Sequence, residues 1–150
     1  MLKIMVNYDF LEALIFEDHQ KHETANKIVN AIQKNYYLYI PSHVLFNIME
    51  NLGKYDYDTN IKFLENIHMT TRIDYQINKQ IFQSAYELFK SNDSLSFLDC
   101  ITIKYMKSKE IKHIISFNEQ FDQIKGIKRL YKLDEYNSKQ LNFNNYLKSK

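Results

Sequence analysis

The stretch LKIMVNYDFLEALI, residues 2–15, decides the fold. Leu2 to Val6 is a short apolar run suited to a buried strand, and from Phe10 the apolar residues Leu11, Leu14 and Ile15 recur at helical spacing. The period changes at Asn7, so a strand feeds straight into a helix there. Working outward, Ala25, Ile28, Val29 and Ile32 mark a second helix, and Tyr36 to Ile40 reads as a β-rich strand closed by Pro41. Ser42 is the expected N-cap of a helix through Leu45, Ile48, Met49 and Leu52 that stops near Gly53.

Asp58 or Thr59 is expected to cap a helix through Ile61, Leu64 and Ile67, with Met69 to Ile73 as a third strand. Ile77, Ile81, Ala85, Leu88 and Phe89 build a long amphipathic helix, and Ser96 or Asp99 opens the next, which continues through Ile103 and Met106. Ile111 to Phe117 follows as a strand. A helical turn from Asn118 to Ile124, then Gly126, lead to a last strand from Ile127 to Leu133. Strands alternating with helices imply right-handed crossovers and an α/β fold with a mostly parallel five-stranded sheet.

The 150 residues suit one domain with a sizeable core. Only 2 Gly and 1 Pro argue against an all-β protein full of tight turns. Cys100 is alone, which excludes an internal disulfide, and no signal-like or bilayer-spanning run is present, so a cytoplasmic protein without a membrane partner is expected. Lys and Arg exceed Asp and Glu by 20 to 18, too little to argue for nucleic acid by itself. Any RNA binding must come from a local patch, for which Lys104, Lys107, Lys109, Lys112, Lys125, Lys128 and Arg129 are the candidates; a solvated helix face explains the same spacing. The segment 134–150 turns rich in Asn, Lys and Ser and reads as an added helix or a tail that orders against a partner.

Four polar residues fall where strands give way to helices: Asn7, Asn47, Asp99 and Asn118. In an open parallel sheet a site forms beyond the C-terminal ends of the strands, where strand order reverses, and these four are placed to converge there. A nuclease working through divalent cations wants carboxylates at such a cluster, because hard ions take anionic oxygen ligands. One of the four is an acid. His19 and His22, three residues apart, invite a zinc reading but lack a cysteine partner or an HExxH pattern, and Cys100 reads more simply as a small buried apolar residue than as a nucleophile. The 12 Tyr and 10 Phe read as core and interface before they read as a base-stacking platform.

VNYDFLEAL (Val6 to Leu14), followed by His19, His22 and Ala25, resembles the opening of a PIN domain. PSHVLFNIMENL (Pro41 to Leu52), SLSFLDCITIKYMKSK (Ser94 to Lys109) and HIISFNEQFDQIKGIKRL (His113 to Leu130) resemble the second, third and fourth motifs of that family, in its order. The resemblance implies a three-layer α/β/α PIN-like domain over residues 1–133, most similar to toxins of VapC type: metal-dependent endoribonucleases held in check by an antitoxin. It implies RNA and an antitoxin-like protein as partners, Mg or Mn as cofactor, and a homodimer. The family's four acids would fall on Asn7, Asn47, Asp99 and Asn118, while the Ser or Asn that usually follows the first acid by two residues is Asp9 here.

Three amides and two carboxylates, Asp9 and Asp99, should hold a divalent ion weakly, and an amide cannot serve as general base toward an attacking water. The resemblance therefore implies a catalytically inactive or impaired nuclease acting by RNA or protein binding. The alternative is an active Mg- or Mn-dependent endoribonuclease using Asp9, Asp99 and relocated acids. Glu50, three residues after Asn47, and Asp122, four after Asn118, share helix faces with the lost positions, and Glu119 adjoins Asn118.

Overall fold

The computed structural model describes residues 2–32, 36–53, 56–74 and 77–132. Five strands, β1 (Leu2–Val6), β2 (Tyr36–Pro41), β3 (Arg72–Asp74), β4 (His113–Ile115) and β5 (Lys128–Leu130), lie in the order β3-β2-β1-β4-β5. Every pairing is parallel. Chain order runs outward from β1 in both directions, so the sheet reverses at the β1–β4 junction, where Val6 faces Ile115 in register. Among the described residues six helices cover the sheet: α1 (Tyr8–Ile15), α2 (His22–Ile32), α3 (Ser42–Leu52), α4 (Tyr57–Thr70), α5 (Lys79–Ser91) and α6 (Phe97–Ser108).

The pleat sorts the core into two halves. Ile4, Val6, Leu38, Ile40 and Ile115 join one cluster with residues of α1 to α4, whereas Met5, Tyr39 and Ile114 point the other way into a cluster with α5 and α6. Both faces of β1 are thus covered, which is why Leu2 to Val6 is apolar at every position but Lys3 instead of alternating. The result is the expected three-layer α/β/α sandwich around a parallel sheet.

Several boundaries differ from expectation for local reasons. β2 runs straight into α3: Pro41 is the N-cap, with no side-chain cap bond, and Ser42 is the first helical residue rather than the cap. Asp56 caps α4, accepting from the Thr59 N–H at 2.8 Å and its hydroxyl at 2.9 Å, which draws Asp58 and Thr59 inside the helix. The same helix runs on through Met69 and Thr70, and the Thr71 N–H closes it on the Ile67 carbonyl at 3.0 Å. The third strand therefore shrinks to the edge segment Arg72–Asp74, paired with Tyr39–Pro41. β4 stops at Ile115 because Ser116 and Phe117 turn to a different set of partners, described below, and β5 is a three-residue strand beside it. Leu133 and the segment 134–150 lie outside the described residues.

Candidate functional site

Asn7 leaves β1 at the switch point, its backbone N–H donating to the Ile115 carbonyl at 3.1 Å and so tying the ends of the two central strands together. It is the N-cap residue of α1 and is buried, at 4% exposure. Its side-chain amide donates to Asp9 Oδ1 at 3.0 Å and to Ser116 Oγ at 3.3 Å. A carboxylate only accepts, so the amide must turn its N–H side toward Asp9.

Asp9, in the first turn of α1, is held from three directions. Besides the Asn7 amide it accepts from the Phe117 backbone N–H at 2.6 Å, and the Ser116 hydroxyl lies 2.9 Å and 3.0 Å from its two oxygens. Ser116, fully buried, also accepts from the Asn118 N–H at 3.0 Å. The segment leaving β4 is thereby fastened to the first turn of α1 through one hydroxyl and one carboxylate.

Asp99 arrives from α6. Ser96 caps that helix, its hydroxyl accepting from the Asp99 N–H at 3.1 Å while the Asp99 carboxylate accepts from the Ser96 N–H at 3.3 Å, the reciprocal pair of a capping box. Asn118 donates its amide to the same Asp99 oxygen at 3.4 Å and accepts from the Gln120 N–H at 3.1 Å, which starts the 3-10 turn Glu119–Gln123. Burial raises the Asp99 pKa above the ordinary carboxylate range; the bonds from Ser96 oppose this and the charge of Asp9 adds to it.

Around these groups lies a cleft of about 200 Å³ lined by Asn7, Tyr8, Asp9, Asn47, Asp99 and Asn118, with His43, Val44, Ser96, Leu98 and Thr102 completing its wall. All five positions Asn7, Asp9, Asn47, Asp99 and Asn118 named from sequence thus meet in one place. Asn47, from α3, makes no side-chain hydrogen bond among the described residues.

The proposed relocated acids do not join them. Asp122 is turned to Arg129, which donates from Nε at 3.0 Å and from Nη2 at 2.8 Å, and Glu50 and Glu119 are exposed residues outside the cleft lining. His19 and His22 are engaged separately: the Lys21 N–H donates to His19 Nδ1, and His22 Nδ1 lies 2.9 Å from the Ala13 carbonyl oxygen. Cys100 is buried, which pushes its thiol pKa up.

His43, Thr102 and Ser116 were not singled out by sequence reasoning. The signal was there in part, since His43 precedes Asn47 by four residues and Thr102 follows Asp99 by three, offsets that share a helix face. His43 Nε2 lies 2.7 Å from Thr102 Oγ1, and its Nδ1 is buried without a partner among the described residues.

Burial pushes the His43 pKa down to about 4, and burial with the charges of Lys128 and Lys112 does the same for His113. Both imidazoles fold as neutral groups, so their stabilising share is complete above the unfolded value near 6.5 and is lost as pH falls toward 4. Asp99 acts in the opposite sense, because a raised carboxyl pKa costs stability at neutral pH and protonation relieves it. We expect melts between pH 7 and 4.5 to show a net loss, with roughly 2 kcal/mol attributable to His43. His43→Gln should flatten the profile; an unchanged slope would refute the assignment.

Whether the cleft suits a divalent cation depends on where its donors point. The Asn7 amide donates to Asp9 and to Ser116, and that of Asn118 donates to Asp99, so positive hydrogens occupy carboxylate lone pairs an ion would use. Among the described residues no group of three or more His, Cys, Asp and Glu side chains is arranged to hold a metal. The donor set does not fit such an ion.

The PIN domain sequence profile matches residues 10–127. The chain belongs to the PIN domain family. Solved structures agree on the fold. Mycobacterium tuberculosis VapC20, a toxin that cleaves the sarcin-ricin loop, superposes with a TM-score of 0.67 at 20% identity, over 79% of this chain and 92% of that one. A chain of VapBC2 from Rickettsia felis, bound to a DNA fragment from its promoter, gives a TM-score of 0.66 at 15% identity, over 86% and 98%. No curated protein matches this PIN domain significantly by sequence. PIN domains generally use divalent metal ions, and the cleft of this member brings the amides of Asn7, Asn47 and Asn118 beside the carboxylates of Asp9 and Asp99.

Proposed function

We propose that this PIN domain binds RNA or a protein partner and lacks ordinary metal-dependent nuclease activity. The observation that carries the reading is a pair of hydrogen bonds: the Asn7 amide donates to Asp9 and the Asn118 amide to Asp99, so at two positions where the resemblance expects an acid an uncharged donor caps a carboxylate instead. The amide donors compete with a cation for the lone pairs of these carboxylates, and neither carboxylate is left without a partner to activate a catalytic water. In this reading the protein acts in the cytoplasm as a homodimer, with an antitoxin-like chain among its candidate partners.

Two measurements on the unaltered protein test it. Titration with Mn²⁺ should leave the melting temperature unchanged, since a ligand that binds the folded state would raise it. RNA should survive incubation with Mg²⁺ or Mn²⁺. A protein that cuts RNA, and stops doing so as Asp99→Ala, would establish the competing reading of an active endoribonuclease built on Asp9 and Asp99.

A further inference from the structure

A second groove of about 410 Å³, within the range of small-molecule sites, lies between the first turns of α5 and the last turns of α6. Lys104, Lys107 and Lys109 line its α6 side, and Asn78, Gln80 and Ser84 its α5 side. Among the described residues no carboxylate lines it. Asp74 meets it only through Lys109, whose Nζ lies 3.5 Å away, and the same carboxylate accepts from the Tyr105 hydroxyl at 2.6 Å. Lys104 and Lys107 have no ion pair among the described residues. Of the other basic residues named from sequence, Arg129 is committed to Asp122, and Lys112, Lys125 and Lys128 lie outside the groove lining.

The fold leaves this positive charge unanswered. Lys104 and Lys107 are three residues apart, about 4.5 Å along the helix axis, where like charges destabilise a helix unless an anion sits between them. The C-terminal end of α6 favours the cations at Lys107 and Lys109, but its field fades within the last turn and does not reach Lys104. Across the groove α5 begins, and the positive end of that helix carries Lys79 and no acid in its first turn.

We propose that this groove binds a small metabolite through a diphosphate group. Two linked phosphates bring about three negative charges at neutral pH, which matches the three ammonium groups that line the groove. Lysine binds phosphate as a flexible point charge, and the amides of Asn78 and Gln80 with the Ser84 hydroxyl can donate to the remaining oxygens. Ile81 and the lysine stems supply an apolar wall for the rest of the molecule. A long polyanion suits the groove less well, because a chain running on past Lys109 meets the Asp74 carboxylate. The groove shares no lining residue with the cleft, so this inference goes beyond the function proposed above and does not depend on it.

The test is isothermal titration of the full chain with inorganic pyrophosphate in metal-free, phosphate-free buffer. One saturable site is expected, with orthophosphate binding about tenfold more weakly or worse. Lys104→Gln/Lys107→Gln should weaken pyrophosphate binding about tenfold or more while the circular dichroism spectrum stays unchanged. Lys62→Gln/Lys125→Gln, an equal charge change at two exposed lysines outside the groove, should shift affinity no more than about twofold. A single-stranded RNA added as competitor should leave bound pyrophosphate in place. The proposal is overturned by the absence of saturable pyrophosphate binding, by equal affinity for orthophosphate, by equal losses in the two double variants, or by displacement with RNA, which would mark the groove as a track for nucleic acid.

Discussion

The triple variant Asn7→Asp, Asn47→Glu, Asn118→Asp is expected to lose about 3–5 kcal/mol of stability without metal and to regain much of it in Mn²⁺. Asn7 is buried and its amide lies 3.0 Å from Asp9, so an aspartate there sets one anion against another with no water to separate them. Asn118→Asp does the same, less severely, at 3.4 Å from Asp99. A divalent ion relieves both repulsions at once, and at one hundred times its dissociation constant it stabilises by about 2.7 kcal/mol. For a chain of this size that corresponds to a rise of roughly 5–10 °C in Tm. The unaltered protein should show none. With the ion in place the variant should also cleave RNA, whereas its parent is expected to leave RNA intact. If the variant responds to Mn²⁺ no more than the parent, the three amides are not what keeps metal out.

Much of the architecture was legible because the sheet is buried on both faces. An apolar run that ends in a polar residue and gives way to a helical period, as at Val6–Asn7, is what a fully buried strand feeding a helix requires, and the same signature recurs at β2. It failed at Met69 and Thr70, which stay in α4, closed by a turn on Ile67. Local propensity favoured a strand there, but only Arg72–Asp74 found a partner in β2, and an unpaired extension has nothing to bond.

The cleft was legible at the positions that begin or end elements and opaque at those that bond across the sheet. Asn7, Asn47, Asp99 and Asn118 could be aligned by counting, whereas the part played by Ser116 depends on a carboxylate 107 residues earlier in the chain. The relocated acids show the converse limit. Helical spacing correctly relates Asp122 to the turn that follows Asn118, yet spacing says nothing about Arg129 on the neighbouring strand, which claims that carboxylate with two bonds.

Asp9 offers the sharper separation of the two functional readings, through the sign of its effect on stability. An acid kept for metal chemistry sits beside other acids at a cost, and its removal usually stabilises the protein. Burial and the neighbouring charge raise the Asp99 pKa, so Asp99→Asn is expected to be neutral or stabilising whichever reading holds. Asp9→Ala should do the reverse. It strips the acceptor from the Phe117 N–H, the Ser116 hydroxyl and the Asn7 amide together, leaving donors in a part-buried junction between α1 and the exit of β4. At roughly 1–3 kcal/mol for each buried group left unpaired, and with some relaxation, the loss should come to about 3–4 kcal/mol. Ser116→Ala alone should cost about 2 kcal/mol, and the double variant should fall short of the sum, because both changes break the same bonds. A stability gain in Asp9→Ala would instead mark Asp9 as an acid held under strain for a cation, and the binding-only reading of this cleft would fail with it.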